Sequence, residues 1–519
     1  MRIILAIGMY LFESLAFCQG FNLRYDLMAK SLPQTAAGIE YFPQGYVIIS
    51  SSSDVDSLGP ELYFHHQSVV LTCIDLDGNQ IWEKRAYRDN HSAFAGWANC
   101  CDTITGGGFV SGGSSEATDG SDEIYLMRFN AEGDTLWTRV FGDPLLNDFW
   151  IGSQVKTTPD GGFLIVGKTD AVGAIWNGFA LKTDSSGNEQ WRRTYPWTPS
   201  NADGLSTVDM APGNTYYMGG SRNIGPGDQD AWVQRVDSLG EVIWRVSWGG
   251  PFSENGAHIT TLNDGQPLIA YAHGFGMVEN FPQYKPALAK LDSADGSIIW
   301  EHTYGPITGG TVLYSPKETA SGDLIACGIT YIDGGFKGLL VKANSEGDSL
   351  WMRSYFYEDS IITNGQGRFF DVLPTADGGF IAAGAVYNPV GTVNPPGYSQ
   401  DTWVVKVDGD GCIIPGCNPV GITEQATNLL DALRIWPNPI QRTEGGMLVN
   451  ISLDLPTHLN DRDLDLSVVS MAGKVVHRQR IINSTTPQLL QLPQLSSGLY
   501  HLHISSGSTW YTGGKLVVE

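Results

Sequence analysis

The chain has 519 residues, of which 63 are glycine and 26 are proline, and hydrophobic residues make up 42% of it. This apolar content can fill a large core and excludes a globally disordered chain. With 55 Asp and Glu against 31 Lys and Arg, the formal net charge is −24, which argues against binding to nucleic acid or to anionic membranes.

Residues 1–18 have the pattern of a secretory signal peptide. A basic residue is followed by an apolar run that is too short to span a bilayer, and Ala16 and Cys18 occupy the −3 and −1 positions of a cleavage site. The alternatives are a buried N-terminal strand and a lipoprotein signal, the latter disfavoured because Phe17 precedes Cys18. We expect a mature chain that starts at Gln19 and has no later membrane-spanning segment.

The strongest pattern in the chain is an internal repeat with a period of 51 to 56 residues. Each copy has Asp or Asn, then a turn glycine, then a tryptophan four residues after that glycine. The tryptophans are Trp82, Trp137, Trp191, Trp244, Trp300 and Trp351. A seventh copy, Asp408–Gly411, has Pro415 where the tryptophan would stand.

A second turn element recurs between these copies, most clearly as Asp-Gly-Gly-Phe at 160–163 and 377–380. The segments around both turns are short and rich in β-formers, so each repeat predicts four strands joined by tight hairpins. In the third repeat the predicted strands are 205–211, 215–221, 231–237 and 242–248.

Four short strands cannot bury both faces of a sheet alone, whereas seven sheets arranged radially can. We therefore predict an all-β fold with a seven-bladed β-propeller over residues 19–419, in which the repeat tryptophans are core residues between adjacent blades. Because the seventh repeat lacks a fourth strand, we predict that Phe21–Lys30 completes its sheet and closes the ring.

The repeat stops near Cys417, and residues 420–432 have the composition of a linker. Residues 433–519 contain alternating strand segments separated by turn signals, which predicts a small immunoglobulin-like antiparallel β-sandwich.

This last segment resembles the C-terminal sorting domain of the type IX secretion system. The residues that carry the resemblance are Pro437, Asn438, Pro439, Gly473, Lys474, Gly498, Tyr500 and Lys515. The resemblance implies the type IX machinery as a partner, a Bacteroidetes-type bacterium as the source, and a secreted or outer-membrane-surface location. It also implies, in many members, removal of the tail and attachment to lipopolysaccharide. The alternative is an ordinary carbohydrate-binding or immunoglobulin-like appendage.

Six cysteines follow the predicted cleavage site. Cys412 and Cys417 flank a Pro-Gly turn, so we predict a disulfide between them in an oxidising compartment. The adjacent Cys100 and Cys101 are predicted to be buried thiols or a structural bridge. The alternative is a vicinal disulfide of the kind used by pyrroloquinoline quinone dehydrogenases, whose tryptophan-docking turn resembles the repeat ending at Trp300.

The sequence nominates no catalytic, cofactor-binding or metal-ligating residue. The Asp-x-x-Gly turns superficially resemble calcium loops but lack the distal glutamate, so a hairpin turn is the preferred interpretation. His65 and His66 have no neighbouring ligands, and His501 and His503 are expected on a solvated strand. The acidic residues are too numerous to select a glycosidase pair.

We predict a binding or scaffold protein, more plausibly a non-enzyme, whose ligand is an extracellular glycan, peptide or protein. The longest inserts, Ser53–Phe64, Gly274–Lys285 and Tyr387–Gln400, are the predicted contact loops. The alternatives are an extracellular polysaccharide hydrolase or lyase and a purely structural matrix component.

Overall fold

The protein is described from a computed structural model. The structure describes residues 20–25, 34–53, 67–86, 91–96, 98–117, 122–142, 154–170, 176–197, 202–225, 228–278, 281–305, 310–332, 334–358, 365–387, 400–413, 432–441, 446–455, 464–470, 475–506 and 509–519. Within these ranges every helix or strand that forms is a β-strand.

The described residues before 414 form seven antiparallel sheets, here called blades. Strand β1 (Phe21–Tyr25) precedes the first blade. Blades one to three contain β2 (Gln34–Phe42), β3 (Gly45–Ser53), β4 (Gln67–Ile74) and β5 (Gln80–Ala86); β6 (His91–Ala95), β7 (Cys101–Thr103), β8 (Phe109–Ala117), β9 (Asp122–Phe129) and β10 (Thr135–Phe141); and β11 (Gln154–Thr157), β12 (Phe163–Thr169), β13 (Asn177–Thr183) and β14 (Glu189–Tyr195).

Blades four to seven contain β15 (Asp203–Ala211), β16 (Thr215–Gly225), β17 (Asp228–Val236) and β18 (Val242–Trp248); β19 (Asn255–Thr261), β20 (Pro267–Val278), β21 (Phe281–Leu291) and β22 (Ile298–Thr303); β23 (Val312–Glu318), β24 (Leu324–Ile332), β25 (Gly335–Ala343) and β26 (Ser349–Tyr355); and β27 (Gln366–Pro374), β28 (Phe380–Tyr387) and β29 (Gln400–Val407).

The blades form a closed ring. Each blade packs on the next, and β2 of the first blade packs on β27 and β28 of the last. Among the described residues, seven hydrophobic clusters each fill the space between two adjacent blades. The predicted all-β, seven-bladed propeller is therefore confirmed.

The ring is closed by the first strand. β1 pairs antiparallel with β29, which places Phe21 opposite Lys406 and Tyr25 opposite Thr402. An ion pair of 2.8 Å joins Arg24 Nη1 to Asp401 Oδ2 across the two strands. The predicted closure is confirmed for residues 21–25, whereas 26–30 lie outside the described residues.

The turn glycines of the repeat adopt positive φ, as the hairpin prediction requires. Gly133 has φ of 79°, and the register of β10 against β9 shifts between Thr135 and Trp137. A glycine in the left-handed region followed by a bulge is a hairpin geometry that other residues adopt only at a cost.

The repeat tryptophans lie on the outer strands and cross the gap between blades. Each indole ring covers the turn glycine of the following blade, so that a Cβ built on Gly133 would lie 2.4 Å from Trp82 Cη2. The same relation pairs Trp137 with Gly187, Trp191 with Gly240, Trp244 with Gly296, Trp300 with Gly347 and Trp351 with Gly411. Of the six, Trp244 is buried and the others are half-buried. The repeat tryptophans thus lie at the boundary between blades. Among the described residues, the fully buried tryptophans are Trp232 on β17 and Trp403 on β29.

The residues from 432 onward form two antiparallel sheets with their own core. Their strands are β30 (Leu433–Trp436), β31 (Met447–Leu453), β32 (Leu464–Ser470), β33 (Val475–Ile481), β34 (Ser484–Leu492), β35 (Gly498–Ser506) and β36 (Thr509–Val518). Among the described residues, one sheet has the order β30-β31-β34 and the other β33-β32-β35-β36. The predicted immunoglobulin-like sandwich is confirmed.

Candidate functional site

The two ends of the propeller strands differ in their connections. Within a blade, the first and second strands, and the third and fourth, are joined by tight turns at one end, which we call the turn face. The second and third strands, and successive blades, are joined at the opposite end, the loop face, because paired strands are antiparallel. The longest propeller connections, 54–66, 143–153 and 388–399, all leave from the loop face.

On the turn face, the aspartates of the repeat accept hydrogen bonds from the backbone of their own turns. Asp184 Oδ1 accepts the backbone N–H groups of Ser186 at 2.9 Å and Asn188 at 2.8 Å, and Asn188 Nδ2 donates to Asp184 Oδ2 at 2.9 Å. These hydrogen bonds lower the pKa of Asp184. The described residues contain no group of three or more His, Cys, Asp or Glu that could hold a metal ion.

The axis of the ring carries a buried cluster of charged side chains from the innermost strands. Lys156 Nζ lies 3.5 Å from Asp102 Oδ1, and Lys317 Nζ lies 3.9 Å from Asp371 Oδ1. Glu40, on β2, is 7% exposed. Burial raises the pKa of Glu40 to about 8, with the two lysines opposing the shift and the two aspartates adding to it.

The axial aspartates join neighbouring blades. Asp371 Oδ2 accepts the N–H of Ile39 at 3.0 Å and so ties the seventh blade to the first. Asp102 Oδ2 accepts the N–H of Thr157 at 2.7 Å, and Asp209 Oδ2 accepts that of Thr261 at 2.7 Å. These three carboxylates therefore link neighbouring blades through backbone donors.

Cys100 and Cys101 lie beside this cluster as free, buried thiols. Burial raises the pKa of Cys101 well above its ordinary value, which keeps the thiol protonated and unreactive. The vicinal disulfide that the quinoprotein alternative requires is absent here. Cys412 is disulfide-bonded, and its predicted partner Cys417 lies outside the described residues.

The loop face exposes large apolar side chains at the tips of three consecutive hairpins. They are Ile224 on blade four, Phe275 and Met277 on blade five, and Tyr331 on blade six, with exposures of 39%, 37%, 54% and 40%. The predicted contact loop Gly274–Lys285 forms the end of the hairpin β20–β21, in which His273 pairs with Lys285 and the register shifts between Gly274 and Gly276. Its role in contacts stays a prediction. The interiors of the other two predicted loops lie outside the described residues, as do His65 and His66.

A second group of ionisable residues lies on the loop face between blades four and five. His273 Nδ1 is 3.7 Å from Glu254 Oε1 and 4.0 Å from Glu301 Oε1. The side chain of Glu254 is 0% exposed, and its burial raises its pKa to about 7. The Tyr271 hydroxyl donates to Glu301. These carboxyl groups come from a loop and from β22, so spacing in the sequence could not have selected them.

In the C-terminal sandwich, Asn438 holds the last strand. Its Nδ2 donates to the Lys515 carbonyl at 2.7 Å, and its Oδ1 accepts the Val517 N–H at 2.9 Å. It lies between Pro437 and Pro439, which have no backbone N–H groups to donate.

The other motif residues of the sandwich lie on or beside β35 and β36. Gly498 begins β35, and the Tyr500 hydroxyl donates to the Ser496 carbonyl at 2.9 Å. Gly473 and Lys474 lie outside the described residues. His503 is 7% exposed, and burial lowers its pKa to about 4, so the predicted solvated position is wrong for this residue.

Residues 434–519 match the family model of the secretion system C-terminal sorting domain. The chain therefore carries a type IX sorting domain, interacts with that secretion machinery, and is exported to the cell surface or secreted. Within the described ranges, no helix has the length and hydrophobicity needed to cross a lipid bilayer.

No curated protein matches the sequence. Among solved structures, polysaccharide lyase Uly1 aligns over 72% of this chain and 90% of its own, with 11% identity and a TM-score of 0.42. A Dyadobacter fermentans protein of unknown function aligns over 61% and 98%, with 11% identity and a TM-score of 0.39. The Penicillium chrysogenum α-L-arabinanase aligns over 76% and 99%, with 11% identity and a TM-score of 0.38. At these TM-scores the likenesses carry no argument about activity.

Proposed function

Since residues 434–519 form a type IX sorting domain, we propose that the exported chain is a binding or scaffold protein at the cell surface, with the propeller as its binding unit. One observation carries this proposal: the long connections and the exposed apolar hairpin tips occupy the same face of a closed, rigid ring. Binding residues are commonly placed on loops that a rigid scaffold positions.

The ligand classes that suit this face are an extracellular glycan, a peptide or a protein. Ile224, Met277 and Tyr331 offer apolar contact area at three consecutive hairpin tips. The turn face also exposes apolar side chains, among them Leu136, Leu239 and Leu350, so the position of the long connections decides between the two faces. The net charge of −24 disfavours nucleic acid. We further propose that the signal peptide 1–18 is removed, that 19–419 is the binding unit, and that 420–432 is a linker to 433–519.

The test is a binding screen of the full chain on glycan, peptide and protein arrays, repeated with a loop-face variant. In that variant, residues 54–64, 276–283 and 388–399 are replaced by short Gly-Ser turns. We expect ligands of the intact chain to be lost while the thermal unfolding transition is retained. The control is a variant in which no loop is shortened and an exposed turn-face residue is replaced, such as Leu239→Ser. This variant should keep its binding. Unchanged binding by the loop-face variant would contradict the proposal.

The second candidate is an extracellular polysaccharide hydrolase or lyase. It is favoured by the carboxyl groups of Glu254 and Glu301, which flank His273 within 4.0 Å, since glycosidases act through two carboxyl groups. The complete burial of Glu254 opposes it, because a catalytic acid must reach substrate. Release of sugar ends from polysaccharides, abolished by Glu254→Gln and Glu301→Gln, would establish this activity; no release would leave binding as the function.

A further inference from the structure

Two arginines hold a tryptophan on the loop face between blades three and four. The guanidinium of Arg245 lies 4.2 Å from the Trp197 ring centroid, and that of Arg222 lies 4.5 Å from it. Trp197 belongs to the connection between the blades, whereas the arginines come from β18 and β16. Trp232 meets the Trp197 ring edge-on at 6.0 Å. We call Trp197, Arg222, Trp232 and Arg245 the Trp197 cluster.

The Trp197 cluster contains hydrogen-bond donors without acceptors. Arg222 Nε, Trp197 Nε1 and Trp232 Nε1 are buried and have no hydrogen-bond partner among the described residues. Arg222 makes no ion pair with a described residue. Trp232 is 0% exposed, so its donor lies beyond the reach of a ligand, whereas Trp197, Arg222 and Arg245 are half-buried. The two guanidinium groups are therefore the donors that a ligand can meet.

The charges around the cluster leave it positive. Asp203 interacts with both arginines, and its oxygens accept the backbone N–H groups of Trp197 and Asn223, each at 3.2 Å. One carboxylate set against two guanidinium groups leaves an excess of positive charge. A further cation, Lys168, lies 5.1 Å above the Trp176 ring and packs against Gly204, next to Asp203. Asp170 follows Lys168 by two residues and makes no ion pair with it.

The flanking connections, 171–175 and 198–201, contain no acidic residue by sequence. Their residues therefore add no negative charge to that of Asp203. In a chain with a net charge of −24, two adjacent arginines that share one carboxylate are a departure that an anionic ligand explains, because guanidinium groups recognise carboxylate and related oxyanions.

We propose that the Trp197 cluster binds the anionic group of an acidic oligosaccharide. The inference rests on the proposed binding function and names its ligand class. A uronate carboxylate and a sulfate ester share the chemistry required, a singly charged group with several acceptor oxygens. A peptide would bring as many N–H donors as acceptors, and both Asp203 oxygens are already occupied.

The experiment is calorimetric titration of the full chain, with tryptophan fluorescence as a second readout. The probes are an oligogalacturonate, the neutral oligogalactoside of equal length, its sulfate ester, and an oligoglutamate. We expect the oligogalacturonate or the sulfate ester to bind and the neutral sugar to bind at least about tenfold more weakly, because a charge-assisted contact contributes about 1.4 kcal/mol or more.

The variants are Arg222→Gln and Arg245→Gln, each expected to lose about tenfold in affinity with an unchanged melting temperature. Arg192→Gln is the matched control, since Arg192 also stacks on an aromatic ring, 5.8 Å from the Phe179 centroid, but pairs with Glu189. The inference would be overturned if the neutral sugar bound equally well, if the oligoglutamate bound more tightly, or if no acidic probe bound. Full affinity in both arginine variants would also overturn it. Array ligands lost from the loop-face variant would still support the proposed function in each of these cases.

Discussion

The Tyr25 hydroxyl donates a hydrogen bond to the Gly78 carbonyl oxygen at 2.7 Å, although the two residues lie on different blades. Tyr195, Tyr304 and Tyr355 make the same bond to the turn glycines Gly240, Gly347 and Gly411 of the following blade. Each of these tyrosines stands four residues after a repeat tryptophan, and Tyr25 stands four residues after Phe21. A Cβ built on Gly78 would lie 3.1 Å from the Phe21 ring. The closing strand β1 therefore reproduces the outer strand of a repeat, with phenylalanine in place of tryptophan.

Loss of this docking is expected to weaken the closed ring. Tyr25→Phe leaves the buried Gly78 carbonyl without its donor and should lower the free energy of unfolding by about 1–2 kcal/mol. Phe21→Ala removes a packed ring and should lower it by about 3 kcal/mol. Urea unfolding followed by tryptophan fluorescence measures both.

Tyr331→Phe is the control, because the Tyr331 hydroxyl is exposed and has no hydrogen bond with a described residue. If Tyr25→Phe and Tyr331→Phe had the same stability as the parent chain, the Tyr25 bond would make no contribution to closure.

The tryptophan contact predicts a difference between two glycine substitutions. Gly133 and Gly322 lie in hairpin turns of the same hydrogen-bonding pattern, with φ of 79° and 85°. An added Cβ meets Trp82 at 2.4 Å in the first case and nothing within 4 Å in the second. Gly322→Ala should lower the free energy of unfolding by about 1 kcal/mol because of the backbone conformation alone. Gly133→Ala should lower it by about 2 kcal/mol more, because the added Cβ displaces the indole. Equal losses in chemical denaturation would contradict the docking role.

Glu40 predicts a pH-dependent stability. Its pKa in the folded chain is raised from 4.5 to about 8, so its contribution is fully present below pH 4.5 and is lost as the pH rises through 8. Glu40→Gln, which cannot ionise, should therefore gain stability relative to the parent chain over this interval, each pKa unit corresponding to about 1.4 kcal/mol. The exposed Glu132→Gln serves as the control. Parallel stability curves for Glu40→Gln and the parent chain would show that Glu40 titrates normally.

The clamp made by Asn438 predicts a defect in export. Asn438→Asp replaces the donor that faces the Lys515 carbonyl by an oxygen and should destabilise the sandwich by about 2–3 kcal/mol. We expect less protein at the cell surface and in the medium and more inside the envelope, measured by fractionation and immunoblotting. Asn450→Asp, which loses a bond of 3.5 Å to the Trp436 carbonyl, is the matched control. Normal export of Asn438→Asp would separate the clamp from sorting.

The disulfide bond of Cys412 predicts which linked peptides a proteolytic digest will contain. Digestion without reductant should give a peptide pair that joins Cys412 to Cys417, while Cys73, Cys100, Cys101 and Cys327 react with alkylating agents after unfolding. The double Cys→Ser variant should lose about 2 kcal/mol for so short a loop. Recovery of Cys412 linked to any other cysteine would refute the predicted bridge.

The propeller could be predicted because its information is local and repeated. The strands predicted at 205–211, 215–221, 231–237 and 242–248 form blade four. They differ from β15–β18 by a few residues, mostly at their loop-face ends, since turn glycines mark the other ends clearly. The sequence predicts a loop where the hairpin β20–β21 lies, because Gly274, Gly276 and Pro282 are turn signals, whereas pairing along a long hairpin tolerates them. The Phe21-x-x-x-Tyr25 pattern was a readable signal for the closing strand.

The axial and Trp197 clusters could not be predicted in the same way. Glu40 interacts with Lys156, Asp102, Lys317 and Asp371 from four other blades, and the tryptophan of the Trp197 cluster belongs to a connection whose position depends on two blades. No spacing in one sequence encodes which side chains meet across a ring. The sequence shows that 171–175 and 198–201 contain no acidic residue. This observation bears on ligand binding only once the structure has placed Arg222 and Arg245 next to Trp197.

The chain enters and leaves the ring at neighbouring points. Gly20 approaches Ile413 so closely that an added Cβ would lie 2.0 Å from the Ile413 oxygen, and β1 and β29 reach this point at their turn-face ends. Both ends of the described propeller chain therefore lie on the turn face. A tag or fusion partner joined next to Gly20 or Ile413 would start from this side and leave the opposite pole unobstructed.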